Sequence, residues 1–391
     1  MKRLYIISLS LLIGSTAAFA QGSVEAMLRE IELNNPELRA SAAALDEERI
    51  ANHSEALLED PELEFNYLWG GAGIGNRHDV RFTQSIDIPT LSGMKSGKAA
   101  DLDVLASLKD KALRLEVLQE ARMLCIDIIY HRLLLQELKD HLERSVTLVR
   151  SYEKRIDAGG STILDLNKAK LHSASIQGKI AVAQSELQSS LSRLRSMNGG
   201  KDPVTELTAY DMDEILPQDF DTWFAEAAEK NPVLGYIRQE VAVGERQLAI
   251  DKVSMMPSLT VGYMSEIRTE EKFRGMTVGV SIPLWSGANK VKRSRAGVVA
   301  AESRRDAAET EFYDRLRDMY RKASSLKDNA EMMRRSLVET DYRDFMVSAL
   351  SRGEISMVDY LVENDLYFEA LEQTLAAERD YRYSLAALKL F

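Results

Sequence analysis

Two stretches of this chain, Ser92 to about Asp157 and Ser286 to about Ser351, contain no proline and few glycines. Each is about 66 residues, or roughly 100 Å as one α-helix at 1.5 Å per residue. No ordinary globular domain accommodates such a rod. Its apolar positions follow the grammar of a coiled coil. Ala121, Ile128, Leu135, Leu142, Val149 and Ile156 recur every seven residues. Phe312, Leu316, Met319, Ala323, Leu326, Ala330, Met333 and Leu337 alternate in steps of four and three. The spacing predicts rods packed side by side along a slowly turning seam, with Glu, Lys, Arg and Gln on the solvated faces. Ser92 and Ser286 are candidate N-caps.

The two runs belong to a tandem duplication. Asn35-Pro36 recurs as Asn231-Pro232 and Pro61 as Pro257, both at an offset of 196. Ile88-Pro89 recurs as Ile282-Pro283, and Gly159 with Asp165 recurs as Gly353 with Asp359, both at 194. Internal self-similarity of this kind means one structural unit written twice. The first repeat is predicted over 21–197: a leading helix of about 25 residues, a strand hairpin over 61–89, a long helix over 92–157 and a return helix over 162–197. A linker follows over 198–222. The second repeat runs over 223–391, with a hairpin over 257–284, a long helix over 286–351 and a return helix over 355–391. The prolines fall at the boundaries of this plan, where a residue without an N–H belongs.

The hairpins read differently from everything around them. Leu63, Phe65, Tyr67 and Trp69 alternate with Glu62, Glu64 and Asn66. Val80, Phe82, Ile86 and Ile88 alternate with Arg81, Thr83, Ser85 and Asp87, and Gln84 interrupts the apolar set. Leu259, Val261 and Tyr263 alternate with Ser258, Thr260 and Gly262; Met276, Val278, Val280 and Ile282 alternate with Thr277, Gly279 and Ser281. Such period-two patterning gives two-faced strands, and strands of about ten residues suit a tilted bilayer crossing. Tyr67, Trp69 and Tyr263 are placed at the loop ends and Trp285 at the helix end, as in an interfacial girdle. Loops are expected over Gly70–Arg77 and Ser265–Arg274. Four strands cannot close a barrel, and lipid tolerates no open sheet edge, so several chains must share one barrel. The lipid face would carry Phe65, Tyr67, Trp69, Phe82, Val261, Val278 and Val280. The lumen would carry Glu62, Glu64, Arg81, Asp87 and Thr277.

Other features bound the function. MKRLYIISLSLLIGSTAAFA, residues 1–20, has the basic start, short apolar run and Ala18-Phe19-Ala20 of a secretory signal peptide. The residue directly after the cleavage site is Gln21 rather than cysteine, so no lipid anchor is expected. Without Lys2 and Arg3 the chain has 48 basic against 61 acidic residues, a net charge of −13, which argues against nucleic acid. Past Gln21 no apolar run is long enough for a transmembrane helix. Cys125, the single cysteine, reads as a packing residue. The histidines at 53, 78, 131, 141 and 172 show no metal-ligand spacing in sequence, no serine sits in a nucleophile elbow, and no phosphate-binding loop is present. GGAGIG, Gly70 to Gly75, lacks dinucleotide spacing and precedes a strand rather than a helix. The chain reads as a non-enzyme with no cofactor and no metal.

These parts together resemble the TolC-type outer membrane efflux protein family. The resemblance covers nearly the whole chain after the signal segment. It is carried by the tandem repeat, by SIDIPTLSG and VSIPLWSG at the strand-to-rod junctions, and by YEKRIDAGGSTILDLNKAK and LSRGEISMVDYLVEND at the helical turns. It implies a mainly α fold with a small β part. Long helices form an α-helical barrel, and four strands per chain join a transmembrane β-barrel completed by a homotrimer. The setting implied is the outer membrane of a Gram-negative bacterium, with the helices projecting into the periplasm. The implied partners are a periplasmic adaptor (membrane fusion) protein and an inner-membrane pump of resistance-nodulation-division or ABC type. Gly159, Gly160, Gly353 and Glu354 match the turns that face the adaptor. Asp165 and Asp359, with Glu363, match the periplasmic aperture. Two positions depart from the family pattern there: Val362 stands where a second aspartate is expected, and Ile355 where a basic residue is. The function implied is passive export of small solutes, drugs or metal cations. The alternatives are the outer membrane channel of a type I protein secretion system and, in another class, a periplasmic coiled-coil scaffold.

Overall fold

The computed structural model describes residues 24–389 except 55, 72, 74, 87–88, 158–159, 204–205, 211–215, 269–270 and 283–286. The signal segment, Asp87, Gly159, Trp285 and Ser286 therefore lie outside the described residues. The elements in order are α1 (Val24–Asn34), α2 (Pro36–Ser54), β1 (Glu62–Leu68), β2 (Arg77–Ile86), α3 (Pro89–Asp157), α4 (Ile163–Met197), α5 (Phe220–Lys230), α6 (Pro232–Val253), β3 (Ser258–Arg268), β4 (Glu271–Ser281), α7 (Gly287–Glu339), α8 (Arg343–Arg352) and α9 (Met357–Leu388).

The duplication is visible in hydrogen bonds. The Asn35 side-chain oxygen accepts from the backbone N–H of Glu37 and Leu38 at 2.9 and 3.0 Å. Asn231 accepts from Val233 and Leu234 at the same two distances. Each asparagine caps a helix whose first residue is proline, which needs no donor there. The leading helix of each repeat is thus split in two by its Asn-Pro pair, where the sequence pattern predicted one helix. Losing either cap by Asn→Ala is expected to cost about 1 kcal/mol in chemical denaturation.

Two further sequence expectations are corrected. Helix α3 begins at Pro89, so Ser92 lies inside it and cannot cap it. Proline is at home in that first turn. The second rod is also not continuous, because α7 stops at Glu339 and α8 starts at Arg343. Between them Asp341 turns its carboxylate onto the Arg343 guanidinium, at 2.9 and 2.6 Å, and onto the Arg343 backbone N–H at 3.3 Å. The guanidinium also stands over the Tyr367 ring, 4.6 Å from its centroid. A local side-chain bond of this kind offers the backbone an alternative to the helix.

The cores run along the rods. One joins Met27 and Ile31 of α1, Ala121, Cys125, Ile128 and Ile129 of α3, Leu194 of α4 and Leu207 of the connecting segment. A second joins Leu216, Leu234 of α6, Phe312 and Leu316 of α7, and Leu385 and Leu388 of α9. The described parts of the connection from α4 to α5 thus pack on both rods. Arg132 donates to the Leu207 carbonyl at 2.7 Å, and the Tyr320 hydroxyl donates to the Pro217 carbonyl at 2.6 Å. Among the described residues no helix is long and apolar enough to cross a membrane.

Candidate functional site: a two-faced sheet and a helical tip

The two hairpins form one antiparallel sheet in the order β1-β2-β3-β4. Its middle seam pairs β2 with β3, one strand from each repeat, and β1 and β4 keep one unpaired edge each. Leu63 pairs with Phe82, Phe82 with Tyr263 and Tyr263 with Met276; Phe65 pairs with Val80, and Val261 with Val278. This register gathers Phe65, Tyr67, Phe82, Val261, Val278 and Val280 on one face. Trp69, one residue past β1, continues the apolar phase of that strand. Glu62, Glu64, Arg81 and Thr277 lie on the opposite face.

The two faces differ in the wrong sense for a water-soluble sheet. Met276, Val278 and Phe65 are 91%, 70% and 64% exposed, whereas Asp79 on the polar face is 5% exposed. Among the described residues no helix packs broadly across either face. The polar side chains instead bond one another. Arg81 donates to Glu64 at 3.1 Å, and Asn66 donates to Glu64 at 3.0 Å and to Asp79 at 3.2 Å. Asp79 was missed in the sequence, because the apolar pattern of β2 begins only at Val80. The polar face thus carries its own hydrogen bonds while the apolar face is left bare. Gly262 permits a close approach there, since a β-carbon would sit 2.5 Å from the Phe82 carbonyl oxygen and 2.8 Å from the Thr277 hydroxyl.

The register also corrects the girdle and the loops. Tyr263 pairs at the level of Phe82 and Leu63 and is not at the loop end, because β3 and β4 continue to Arg268 and Glu271. The expected loop over 265–274 is largely strand. Arg77 of β2 binds Glu266 of β3 at 3.0 Å, which extends the pairing outward. Tyr67 and Trp69 do lie at that end, with ring centroids 5.5 Å apart.

At the far end of the rods the two repeats meet again. Tyr152 of α3, Leu166 and Ala169 of α4, Met346 and Leu350 of α8, and Met357 and Tyr360 of α9 share one core. The turn into α9 has Gly353 at φ +75°, with its N–H and that of Glu354 bonded back to Leu350 and Ala349. Nothing lies within 4 Å of a β-carbon added at Gly353, so Gly353→Ala meets only backbone strain. A loss of about 1 kcal/mol is expected in urea titration. Gly160 donates to the Arg155 carbonyl at 2.8 Å, and Glu354 pairs with Arg352 at 2.7 Å.

Asp165 and Asp359 are both third residues of their helices. Each accepts from the hydroxyl of its cap, Thr162 at 2.6 Å and Ser356 at 2.6 Å, and the cap oxygen accepts from the backbone N–H of the aspartate. Ser356 completes the box by donating its own N–H to Asp359. The Ser356 hydroxyl and N–H hold the Asp359 carboxyl below its usual range. Both carboxylates are therefore engaged as caps within their own chain. Glu363 accepts from the Tyr342 hydroxyl at 3.2 Å.

No family model matches the sequence, and no curated protein matches it either. Solved structures do. A crystal structure of CusC, described in terms of transmembrane channel formation, superposes with a TM-score of 0.74 at 16% identity, covering 97% of this chain and 95% of that one. The fold is that of the TolC-type outer membrane channels. The Campylobacter jejuni CmeC outer membrane channel gives 0.73 at 13% identity, over 94% of this chain and 84% of that one. The Neisseria gonorrhoeae MtrE outer membrane channel, in its open state, gives 0.72 at 11%, over 94% and 88%. The TolC-type fold accounts for both departures from an ordinary globular protein, the rods and the inverted sheet. At these identities the likeness is one of architecture.

Proposed function

We propose that this protein is the outer membrane exit duct of an efflux system and that it passes small solutes without catalysing a reaction. One observation carries the reading: a four-stranded sheet whose apolar face no described helix covers and whose outer edges are unpaired among the described residues, mounted on one helix of about 100 Å and its interrupted counterpart. Such a sheet is stable in lipid only when copies close it into a barrel. A homotrimer supplies twelve strands, and a polar inner face suits a wet lumen. Exposed apolar residues near the helical tip supply further contact between copies: Ile163, Leu164 and Leu171 on α4, and Val358, Val362 and Leu366 on α9. On this reading the protein sits in the outer membrane of a Gram-negative cell with its helices in the periplasm, which the signal segment and the bare sheet support. Phe65, Tyr67, Trp69, Phe82, Val261, Val278 and Val280 face lipid; Glu62, Glu64, Arg81 and Thr277 face the lumen.

The energy source lies elsewhere, in an inner-membrane pump of resistance-nodulation-division or ABC type reached through a periplasmic adaptor. The turns at Gly160, Gly353 and Glu354 form the docking end. Asp165, Asp359 and Glu363 make the aperture acidic, which favours cations among the solutes. The test is direct. Protein purified from outer membranes in detergent is expected to run as a trimer and to open ion-conducting pores in planar bilayers. A monomer that stays soluble without detergent and conducts nothing overturns the duct and favours a periplasmic scaffold.

A further inference from the structure

The sheet separates its charges by face. The acidic residues of the four strands are Glu62 and Glu64 of β1, Asp79 of β2, Glu266 of β3 and Glu271 of β4. The register puts all of them on the polar face, where Glu64 opposes Arg81, Glu266 opposes Asp79, and Glu271 opposes Arg268. Lys272 and Arg274 fall on the apolar face instead. Arg274 pairs with Ser265 and shares a row with Val80 and Phe65; Lys272 pairs with Ile267 and shares a row with His78 and Tyr67. These rows are the ones nearest the hairpin loops, past Met276, Val278 and Val280 on β4. The opposite end of the same face, at Ile86, Leu259 and Val280, has no charged strand residue.

Both cations are exposed, and no described strand residue on their face offers a carboxylate. On the polar face, by contrast, Arg77 is matched by Glu266 at 3.0 Å and Arg81 by Glu64 at 3.1 Å. Charges that merely guard a strand edge against pairing serve with either sign and on either face. Here only cations occur, only outward and only at one end. Their alkyl stems can lie along apolar surface while the charged heads reach past it. A cation on the lipid face is costly at the midplane and cheap at the interface, which is where these two rows stand. Tyr67 and Trp69 stand at the same end; Trp69 is 82% exposed, and Asn76 donates to the Tyr67 hydroxyl at 2.7 Å. Tyr and Trp of this kind sit at headgroup level.

We propose that Lys272 and Arg274 bind the phosphate of an anionic lipid headgroup at the outer rim of the barrel. The inference rests on the membrane reading above, in which the hairpin loops point away from the helical tip and so meet the outer leaflet. Lys272 and Arg274 are two residues apart on one strand face, about 7 Å. Both can therefore reach one phosphorylated headgroup, to which a guanidinium offers paired hydrogen bonds. Because the other rim of that face lacks cations, the preference belongs to one leaflet.

The test separates lipid selection from conduction. Full-length protein in neutral detergent is offered lipid A, a diphosphorylated glycolipid, in competition with phosphatidylcholine, and retained lipid is measured by native mass spectrometry. Preferential retention of lipid A is expected, weakening as salt is raised. Lys272→Gln and Arg274→Gln are each expected to reduce the preference about fivefold, and the double variant about twenty-five-fold. Conductance in planar bilayers is expected to stay unchanged. Arg268→Gln, on the polar face at the same end, is expected to leave the preference intact. No preference in the natural protein overturns the inference, and so does an equal loss in Arg268→Gln. Pores that conduct without the preference sink this site alone, whereas protein that forms no pores sinks the duct reading and this site with it. If the double variant does not insert, an unchanged preference in Arg274→Gln overturns the inference.

Discussion

Replacing Val278 by arginine is expected to lower the free energy of folding into a bilayer by about 2–4 kcal/mol, the cost of a cation on the lipid face near the membrane centre. Val278 is 70% exposed, pairs with Val261 across β3 and β4, and sits on the face that no described helix covers. The matching control is Glu62→Arg on the opposite face. That change is expected to leave folding within about 0.5 kcal/mol, as exposed substitutions usually do, and to move the pore from cation toward anion preference. Urea titration of protein refolded into vesicles reads the first effect, and reversal potentials in asymmetric salt read the second. Equal destabilisation at both positions counts against a lipid face. Thr277 is a poorer control, although it shares the polar face, because its hydroxyl oxygen is enclosed beside Gly262.

Leu316→Ala is expected to cost about 2–5 kcal/mol, the range for emptying a fully buried leucine site. Leu316 is 0% exposed and belongs to the core built from α6, α7, α9 and the connecting segment. The loss should appear as a lower midpoint in chemical denaturation followed by helical circular dichroism. Met319→Ala, one step along the same seam and only half-buried, should cost less. A similar loss at both positions argues against the seam that the four-three spacing defines.

Much of this architecture could be read from the chain itself. The Asn-Pro pairs, the Gly turns and the alternating strands are local signals, and each appears twice. What escaped the sequence depended on contacts between distant segments. The break between α7 and α8 contains neither proline nor glycine; it rests on Asp341 and Arg343, with Tyr367 of α9 supplying a surface for the guanidinium. The level of Tyr263 depended on how far β3 pairs with β2, which the Arg77–Glu266 contact helps to set. Pro89 opens α3 although Ser92 carries the better cap chemistry. The roles of the acidic residues at the tip were ambiguous in sequence, since one Ser-x-x-Asp pattern serves both as a cap and as a charge.

The interruption after Glu339 makes the two halves mechanically unequal. The first repeat reaches its turn as an unbroken strut, while the second reaches it through a knuckle of three residues and a helix of ten. In the ring of identical chains proposed above, stiff and articulated fingers would alternate at the mouth. A partner docking there would meet two kinds of finger, only one of them jointed.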